Sequence, residues 1–313
     1  MQDIHRTFTT AAAVMSETTQ PRLDTVSCLH AGGLHRMAYW EWGEADNPDV
    51  VVCVHGLSRQ GRDFDRLARA LSSRFRVVCP DVAGRGRSDW LPPEHYQIPQ
   101  YVADMVSLLA RLRARRVGWV GTSMGGLIGI ALGGLQDSPL HALVLNDVGP
   151  TIAEQGLKRL AGSLGQRMRF DDLDQAADYI WSVSQGFGSH SREDWLELCR
   201  PLLEPDAQGG LRLRFDPAIM QGFAALAGPD AAQLVAAGEQ AMWALYDQVR
   251  APTLLLRGAG SDILSPGTAQ AMRARGPRAA CIEWSDVGHA PTLVSAQQIE
   301  PVREFLLRHL DAP

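Results

Sequence analysis

The sequence lacks a hydrophobic run that could span a membrane. No apolar stretch among its 313 residues reaches the roughly 18 to 20 residues that a membrane-spanning helix needs. It also lacks a large excess of either charge, since 30 basic and 35 acidic residues give a net charge of −5. A basic cluster falls at the end of a predicted helix, where cations complement the helix dipole, and consists of Arg111, Arg113, Arg115 and Arg116. We therefore expect no nucleic acid and no membrane as a partner, only a small-molecule substrate.

Cysteine is scarce and shows no metal-binding or disulfide spacing. The five cysteines are scattered, odd in number and without a C-x-x-C pair, at Cys28, Cys53, Cys79, Cys199 and Cys281. Three of them fall in predicted buried strands, where a free thiol behaves as a small hydrophobic group. We therefore expect a reduced, cytoplasmic protein with no structural metal and no cofactor.

The first 21 residues show no hydrophobic periodicity. Their apolar core, residues 11–15, is too short for the hydrophobic region of a signal peptide, and Asp3 stands where such a peptide would carry positive charge. We therefore expect residues 1–21 to form a disordered lead.

Buried strands alternate with amphipathic helices through most of the remaining chain. A continuous apolar run, which is typical of a strand covered on both faces, occurs at residues 50–54, and further buried strands are predicted at residues 75–79, 117–120, 142–146, 252–256 and 279–284. Residues 25–29 and 35–42 are predicted to form a hairpin that enters the fold. The alternation predicts an α/β fold with a mostly parallel central sheet and helices on both faces, formed by residues 22–149 and 250–313. In such sheets the ligand site lies beyond the carboxyl ends of the strands.

Strand-like runs nearly disappear between residues 150 and 249, where helical periodicity dominates. We predict that residues 150–249 form an inserted helical cap, or lid. The large aromatic residues of this segment suggest an apolar cover over a polar catalytic centre. These residues are Phe170, Trp181, Phe187, Trp195, Phe215, Phe223 and Trp243. Trp181 and Trp243 are the candidates for binding substrate, although packing between cap helices is the commoner role of such residues.

The motif that organises the chain is Gly121-Thr122-Ser123-Met124-Gly125. An apolar strand precedes it and an apolar helix follows it, so the chain must turn sharply at the serine. The two glycines remove Cβ atoms that would clash in such a turn. The serine then faces the first turn of the helix, where free N–H groups favour developing negative charge. This G-x-S-x-G context predicts a nucleophilic serine.

The G-x-S-x-G motif is followed in the chain by a candidate acid and then by a candidate histidine. With this order of residues, the chain resembles the α/β-hydrolase family. The resemblance covers nearly everything from about residue 25 onward. It implies that Ser123 is the nucleophile, His289 the base and Asp262 the acid that orients the base. It also implies that Leu57, in the loop after the third strand, and Met124 supply the N–H groups of an oxyanion hole.

The chemistry of these residue types supports the assignment independently. A serine hydroxyl is protonated at pH 7, and an imidazole with a pKa of about 6.5 can accept its proton and return it to the leaving group. Of the nine histidines, only His289 lies in a loop after a strand and follows both candidate acids, Asp147 and Asp262, in the chain. His55 is expected to make structural hydrogen bonds instead. Asp262 is the preferred acid. Asp147, after the preceding core strand, is the alternative, and Asp286 lies too near His289 in sequence to reach its far nitrogen.

The predicted function is hydrolysis of a carboxylic ester of a small, partly hydrophobic substrate. Ser123 argues against haloalkane dehalogenase and epoxide hydrolase activity, because those members of the family use Asp at this position. Three alternatives stay open: a carbon–carbon bond hydrolase of ring-fission diketones, a haloperoxidase-like or perhydrolase activity, and a non-catalytic ligand receptor on a hydrolase scaffold. The sequence indicates neither the natural substrate nor the oligomeric state.

Overall fold

The computed structural model of the protein describes residues 20–163, 168–221, 228 and 230–310. Nearly all of the predicted disordered lead therefore lies outside the described residues. The strands are β1 (Arg22–His30), β2 (Gly33–Trp42), β3 (Asp49–Val54), β4 (Arg76–Pro80), β5 (Arg116–Thr122), β6 (Leu140–Asn146), β7 (Arg169–Phe170), β8 (Leu203–Pro205), β9 (Leu211–Leu213), β10 (Thr253–Gly258) and β11 (Ala280–Trp284).

The α-helices cover the faces of the sheet and fill the segment between β6 and β10. They are α1 (Asp65–Leu71), α2 (Ile98–Leu112), α3 (Met124–Gly133), α4 (Glu154–Ser163), α5 (Leu173–Ser182), α6 (Arg192–Cys199), α7 (Ala231–Gln248), α8 (Pro266–Ala274) and α9 (Ala296–Leu310). No helix in the described part of the chain is long and apolar enough to cross a membrane.

Eight strands form one sheet in the order β1-β2-β4-β3-β5-β6-β10-β11. The β1–β2 hairpin and the β2–β4 pair are antiparallel, and every other neighbouring pair is parallel. The predicted hairpin and the predicted mostly parallel sheet are thus confirmed. Because β3, β5, β6 and β10 run in parallel at the centre, the loops that follow them emerge at one edge of the sheet.

The central strand β3 shows why this sequence forms a sheet covered on both faces. All six of its residues are buried. Val50 and Val52 face a core cluster that includes residues of α2, α3 and α7, while Val51 and Cys53 face one built with α1 and α9. Alternate residues of a strand point to opposite faces, so the unbroken apolar run serves both layers. Burying each valine contributes about 1.5–3 kcal/mol.

The segment between β6 and β10 differs from the sequence-based expectation in one respect. Its described residues contain the helices α4 to α7, but also a small antiparallel sheet in the order β7-β9-β8. These strands are only two or three residues long, which is too short to produce a recognisable alternation of apolar and polar residues. Helix α6 is joined to the core by Arg66 of α1, whose guanidinium donates to Asp194 and Glu197.

Candidate active site

The chain turns sharply at Ser123, between the end of β5 and the start of α3. Ser123 has φ 53° and ψ −117°, a conformation that L residues rarely adopt. A Cβ atom at Gly121 would lie 2.3 Å from the Gly125 carbonyl oxygen, and one at Gly125 would lie 2.0 Å from the Val54 carbonyl oxygen. The strand, turn and helix predicted around the motif are therefore present, and both glycines are sterically required.

His289 lies in the loop after β11 and faces the serine. Its Nε2 atom is 3.0 Å from the Ser123 Oγ atom, which is hydrogen-bonding distance. The His289 loop is also tied to the segment between β6 and β10, because the Gly288 N–H donates to the Gly186 carbonyl at 2.7 Å. Ser123 and His289 are thus brought together as the sequence predicts.

The acid that contacts His289 is Asp147, which directly follows β6. Its Oδ2 atom lies 2.7 Å from His289 Nδ1. The Asp147 side chain is fully buried, and it also accepts hydrogen bonds from the Gly258 N–H at 2.9 Å and from the Ser261 hydroxyl at 2.5 Å. A buried carboxylate needs such donors to offset its desolvation. The carboxylate is therefore held in one position against the far nitrogen of the imidazole.

Asp262 is the wrong choice for the partner of His289, although the sequence favours it. Its carboxylate is engaged by Arg159 of α4, with Nε to Oδ2 at 2.5 Å and Nη2 to Oδ1 at 3.0 Å. Burial raises the pKa of Asp262, but the hydrogen bonds and charge of Arg159 outweigh it and hold the pKa below its ordinary value. The physical reason lies in the loop after β10: Ser261 turns back to Asp147, while Asp262 faces α4.

The loop after β3 presents Leu57 beside the serine, and His55 fixes its backbone. His55 Nε2 accepts the Val82 N–H at 2.9 Å, so the ring proton sits on Nδ1, which donates to the Gly56 carbonyl at 2.7 Å. Burial lowers the pKa of His55 to about 3, so this ring stays neutral at pH 7. Because the peptide is planar and trans, holding the Gly56 carbonyl also sets the direction of the Leu57 N–H.

Met124 begins α3 immediately after the serine. The N–H groups in the first turn of a helix have no acceptor within the helix, so the backbone there is available to an anion. Leu57 lines the pocket over Ser123, while the side chain of Met124 is buried.

A pocket opens over Ser123 and His289, with walls from the core loops and from the segment between β6 and β10. Most of the residues that line it are apolar or uncharged, but two arginines, Arg59 and Arg159, also line it. Arg59 is held by Asp63, with Nε and Nη2 at 2.6 and 2.9 Å from the carboxylate oxygens. Among the described residues that line the pocket there is no Asp or Glu.

The two tryptophans predicted to bind substrate do not line this pocket. Trp181 packs edge-on against Trp195, with ring centroids 5.0 Å apart. Trp243 donates its Nε1–H to the Thr151 hydroxyl at 2.9 Å, and the guanidinium carbon of Arg275 lies 4.4 Å from the centroid of the Trp243 ring. Successive helix positions differ by about 100° in direction, so Trp181 faces α6 although Ile180 faces the pocket.

Other aromatic residues of the segment supply the pocket wall instead. Phe187 and Phe215 line it, and so does Tyr179. Phe170 is buried in a small separate cluster, and Phe223 lies outside the described residues. Arg59 was missed by the sequence analysis, yet its position two residues after Leu57 is a usable signal that it borders the same site.

Comparison with known proteins defines the class to which this fold and site belong. Residues 51–302 match the Alpha/beta hydrolase family, so the chain belongs to that family and is a hydrolase. It is similar to a solved putative hydrolase from Rickettsia typhi (TM-score 0.81, 25% identity, 93% of this chain and 99% of that one). It is similar too to an alpha/beta hydrolase from Novosphingobium aromaticivorans (TM-score 0.79, 32% identity, 92% and 99%).

Among individual proteins, the chain is similar to the 3-hydroxybutyrate-oligomer hydrolase of Cupriavidus necator. The two are 48% identical over 290 residues, which span 91% of this chain and 97% of that protein. The similarity thus includes the core and the segment between β6 and β10. Since the chain is an enzyme, the non-catalytic receptor considered from the sequence is excluded.

Proposed function

We propose that this protein hydrolyses the ester bonds of short 3-hydroxybutyrate oligomers through a triad of Ser123, His289 and Asp147. The observation that carries the proposal is the unbroken chain of hydrogen bonds from Ser123 Oγ to His289 Nε2 at 3.0 Å and from His289 Nδ1 to Asp147 at 2.7 Å. A nucleophile, a base and a group that orients the base are thus arranged for acyl transfer.

In the first half of the proposed reaction, Ser123 Oγ attacks the ester carbonyl while His289 Nε2 takes the serine proton. Asp147 keeps the remaining ring proton on Nδ1 and stabilises the imidazolium. The carbonyl oxygen becomes an oxyanion, which accepts hydrogen bonds from the N–H groups of Leu57 and Met124. The bond from carbon to the alcohol oxygen then breaks, and His289 gives its proton to the departing alcohol.

The second half repeats these steps with water. His289 removes a proton from a water molecule, whose oxygen attacks the acyl-enzyme, and the proton passes to Ser123 Oγ as the acyl–serine bond breaks. Each cycle consumes one ester bond and one water and releases one carboxylic acid and one alcohol. For a 3-hydroxybutyrate oligomer, both products are shorter chains or single units of the same hydroxy acid.

The choice of substrate is supported by the relative and by the pocket wall. The similar Cupriavidus protein is described as acting on 3-hydroxybutyrate oligomers. Such oligomers combine methyl-branched, weakly polar repeats with one terminal carboxylate. The pocket is lined by apolar side chains together with Arg59 and Arg159, which already bind the carboxylates of Asp63 and Asp262 through Nε and Nη2. A guanidinium carries five N–H donors, more than one carboxylate uses, so each arginine suits a further carboxylate.

The segment of residues 150–249 is proposed to act as the cap that selects substrate. Ser123, His289 and Asp147 lie outside it, and so do both proposed oxyanion donors. Tyr179, Phe187 and Phe215 contribute pocket wall from within it. Chemistry is thereby assigned to the core, and the aromatic part of the pocket wall to this segment, while Arg59 of the core also contributes to substrate selection.

The test is hydrolysis of a 3-hydroxybutyrate trimer, followed by chromatography of the released acid, with the methyl ester of the same trimer as a matched substrate. Hydrogen bonds to charged groups contribute about 1.5–3 kcal/mol, so removing the terminal carboxylate is expected to lower kcat/KM roughly tenfold or more. Equal rates on the two substrates would contradict recognition of the carboxylate. Rapid cleavage of a vinylogous diketone without ester hydrolysis would assign the site to carbon–carbon bond cleavage.

A further inference from the structure

Arg85 is a completely buried cation in the loop after β4, and no carboxylate in the described residues pairs with it. Its exposed fraction is 0%. A buried charge without an opposite charge is expensive, so its hydrogen bonds must offset much of the cost. The acceptors of these hydrogen bonds therefore indicate the role of Arg85.

The donors of Arg85 reach the main chain of Leu57 and the side chain of Met124, the two residues proposed to form the oxyanion hole. Nε donates to the Leu57 carbonyl at 2.8 Å, and Nη2 contacts the Met124 Sδ atom at 3.6 Å. Nη1 donates to the Ala83 carbonyl at 2.7 Å and to the Tyr101 hydroxyl at 2.8 Å. The planar guanidinium thus links the loop after β3 to the residue that follows the nucleophile.

The peptide groups on both sides of Leu57 are consequently fixed by side chains. His55 Nδ1 holds the Gly56 carbonyl at 2.7 Å, and Arg85 holds the Leu57 carbonyl at 2.8 Å. A residue with both flanking peptide planes held cannot rotate its N–H without losing one of these bonds. The guanidinium also places a positive charge inside a low-dielectric region, where it favours negative charge nearby more strongly than in water.

We propose that Arg85 is a positioning residue for the oxyanion hole: it fixes the Leu57 main chain, and its charge stabilises the oxyanion of the transition state. This inference rests on the proposed acyl-transfer function. It goes beyond that function by assigning part of the transition-state stabilisation to a residue that does not touch the substrate. Lysine cannot replace it fully, because an ammonium group lacks the planar, forked set of donors.

The test compares a p-nitrophenyl ester with its thionoester, in which sulfur replaces the carbonyl oxygen. Sulfur is a longer and weaker hydrogen-bond acceptor, so the oxyanion hole favours the ester. Arg85→Met is expected to lower kcat for the ester about 10- to 100-fold with little change in KM, somewhat less than the loss of a direct oxyanion donor. The kcat for the thionoester should fall much less, so the ratio of the ester kcat to the thionoester kcat decreases. Arg85→Lys should fall between wild type and Arg85→Met.

Arg87→Met is the matched control, since Arg87 lies in the same loop but is exposed and stacks on the Trp40 ring at 5.6 Å. It should leave both rates unchanged. Equal loss of ester and thionoester turnover in Arg85→Lys or Arg85→Met, or a change in KM alone, would overturn the proposal and leave Arg85 a packing residue. If the wild type itself fails to hydrolyse the ester, the proposed function fails and this inference fails with it.

Discussion

The contact between Ser123, His289 and Asp147 depends on three separate connections, because each of these residues follows a different parallel strand of the sheet. Asp147 comes directly after β6, which neighbours both β5 and β10. It is therefore anchored by the backbone of β10 through the Gly258 N–H while its other oxygen meets His289. A carboxylate with this many fixed donors can hold one imidazole tautomer through the reaction.

The first prediction separates the two candidate acids. Asp147→Asn should lower kcat about 10⁴-fold, the magnitude known for the equivalent change in a serine protease, because the amide cannot hold the correct tautomer. Asp262→Asn, the matched control, should reduce kcat far less, since it loses only its pairing with Arg159. Steady-state kinetics on a p-nitrophenyl ester measure both. The opposite ranking would restore Asp262 as the acid.

The sequence predicted the contact between Ser123 and His289 but not which carboxylate contacts His289. The serine is recognised from a local pattern of strand, tight turn and helix, and His289 from its place after the last strand. The carboxylate that contacts His289 depends on how the loop after β10 turns: Ser261 contacts Asp147, and Asp262 contacts Arg159. Both acids occupy suitable places in the chain order, so only their side-chain contacts distinguish them.

At the scale of secondary-structure elements, the pocket depends on which face of each element is turned toward Ser123. The tryptophans were plausible candidates by size, but Trp181 and Trp243 pack within the segment of residues 150–249 and against the core. The short β9 strand, which left no sequence pattern, brings Leu213 and Phe215 to the pocket. Composition predicted an aromatic cover, whereas helix rotation and strand pairing determine which aromatic residues line the pocket.

A second prediction follows from this arrangement. Phe187→Ala should enlarge the pocket and shift the optimum of a p-nitrophenyl ester series toward longer acyl chains, while acetate turnover changes little. Each additional methylene that is buried contributes about 0.8 kcal/mol, or roughly fourfold in kcat/KM. Trp181→Ala is the matched control: it should lower the melting temperature by weakening the contact with Trp195, without moving the optimum. A shift in Trp181→Ala and none in Phe187→Ala would contradict the assigned pocket wall.

At the scale of the whole molecule, the parallel sheet explains why so much of the fold could be predicted. Continuous apolar runs separated by amphipathic helices leave few topologies, and all of them gather the loops after the strands at one edge. Leu57, Ser123, Asp147 and His289 follow β3, β5, β6 and β11, respectively. The segment of residues 150–249 was less predictable, because its short strands and its contacts with the core depend on tertiary packing rather than on periodicity.

The measurement that tests the account most directly is covalent trapping of the nucleophile combined with oligomer turnover. A fluorophosphonate should modify wild-type protein at Ser123, as located by peptide mass spectrometry, and should abolish release of 3-hydroxybutyrate from the trimer. Ser123→Ala should be neither labelled nor active, while keeping the melting temperature of the wild type, because the hydroxyl serves the reaction rather than packing. Labelling at another residue, or undiminished turnover by Ser123→Ala, would contradict the account.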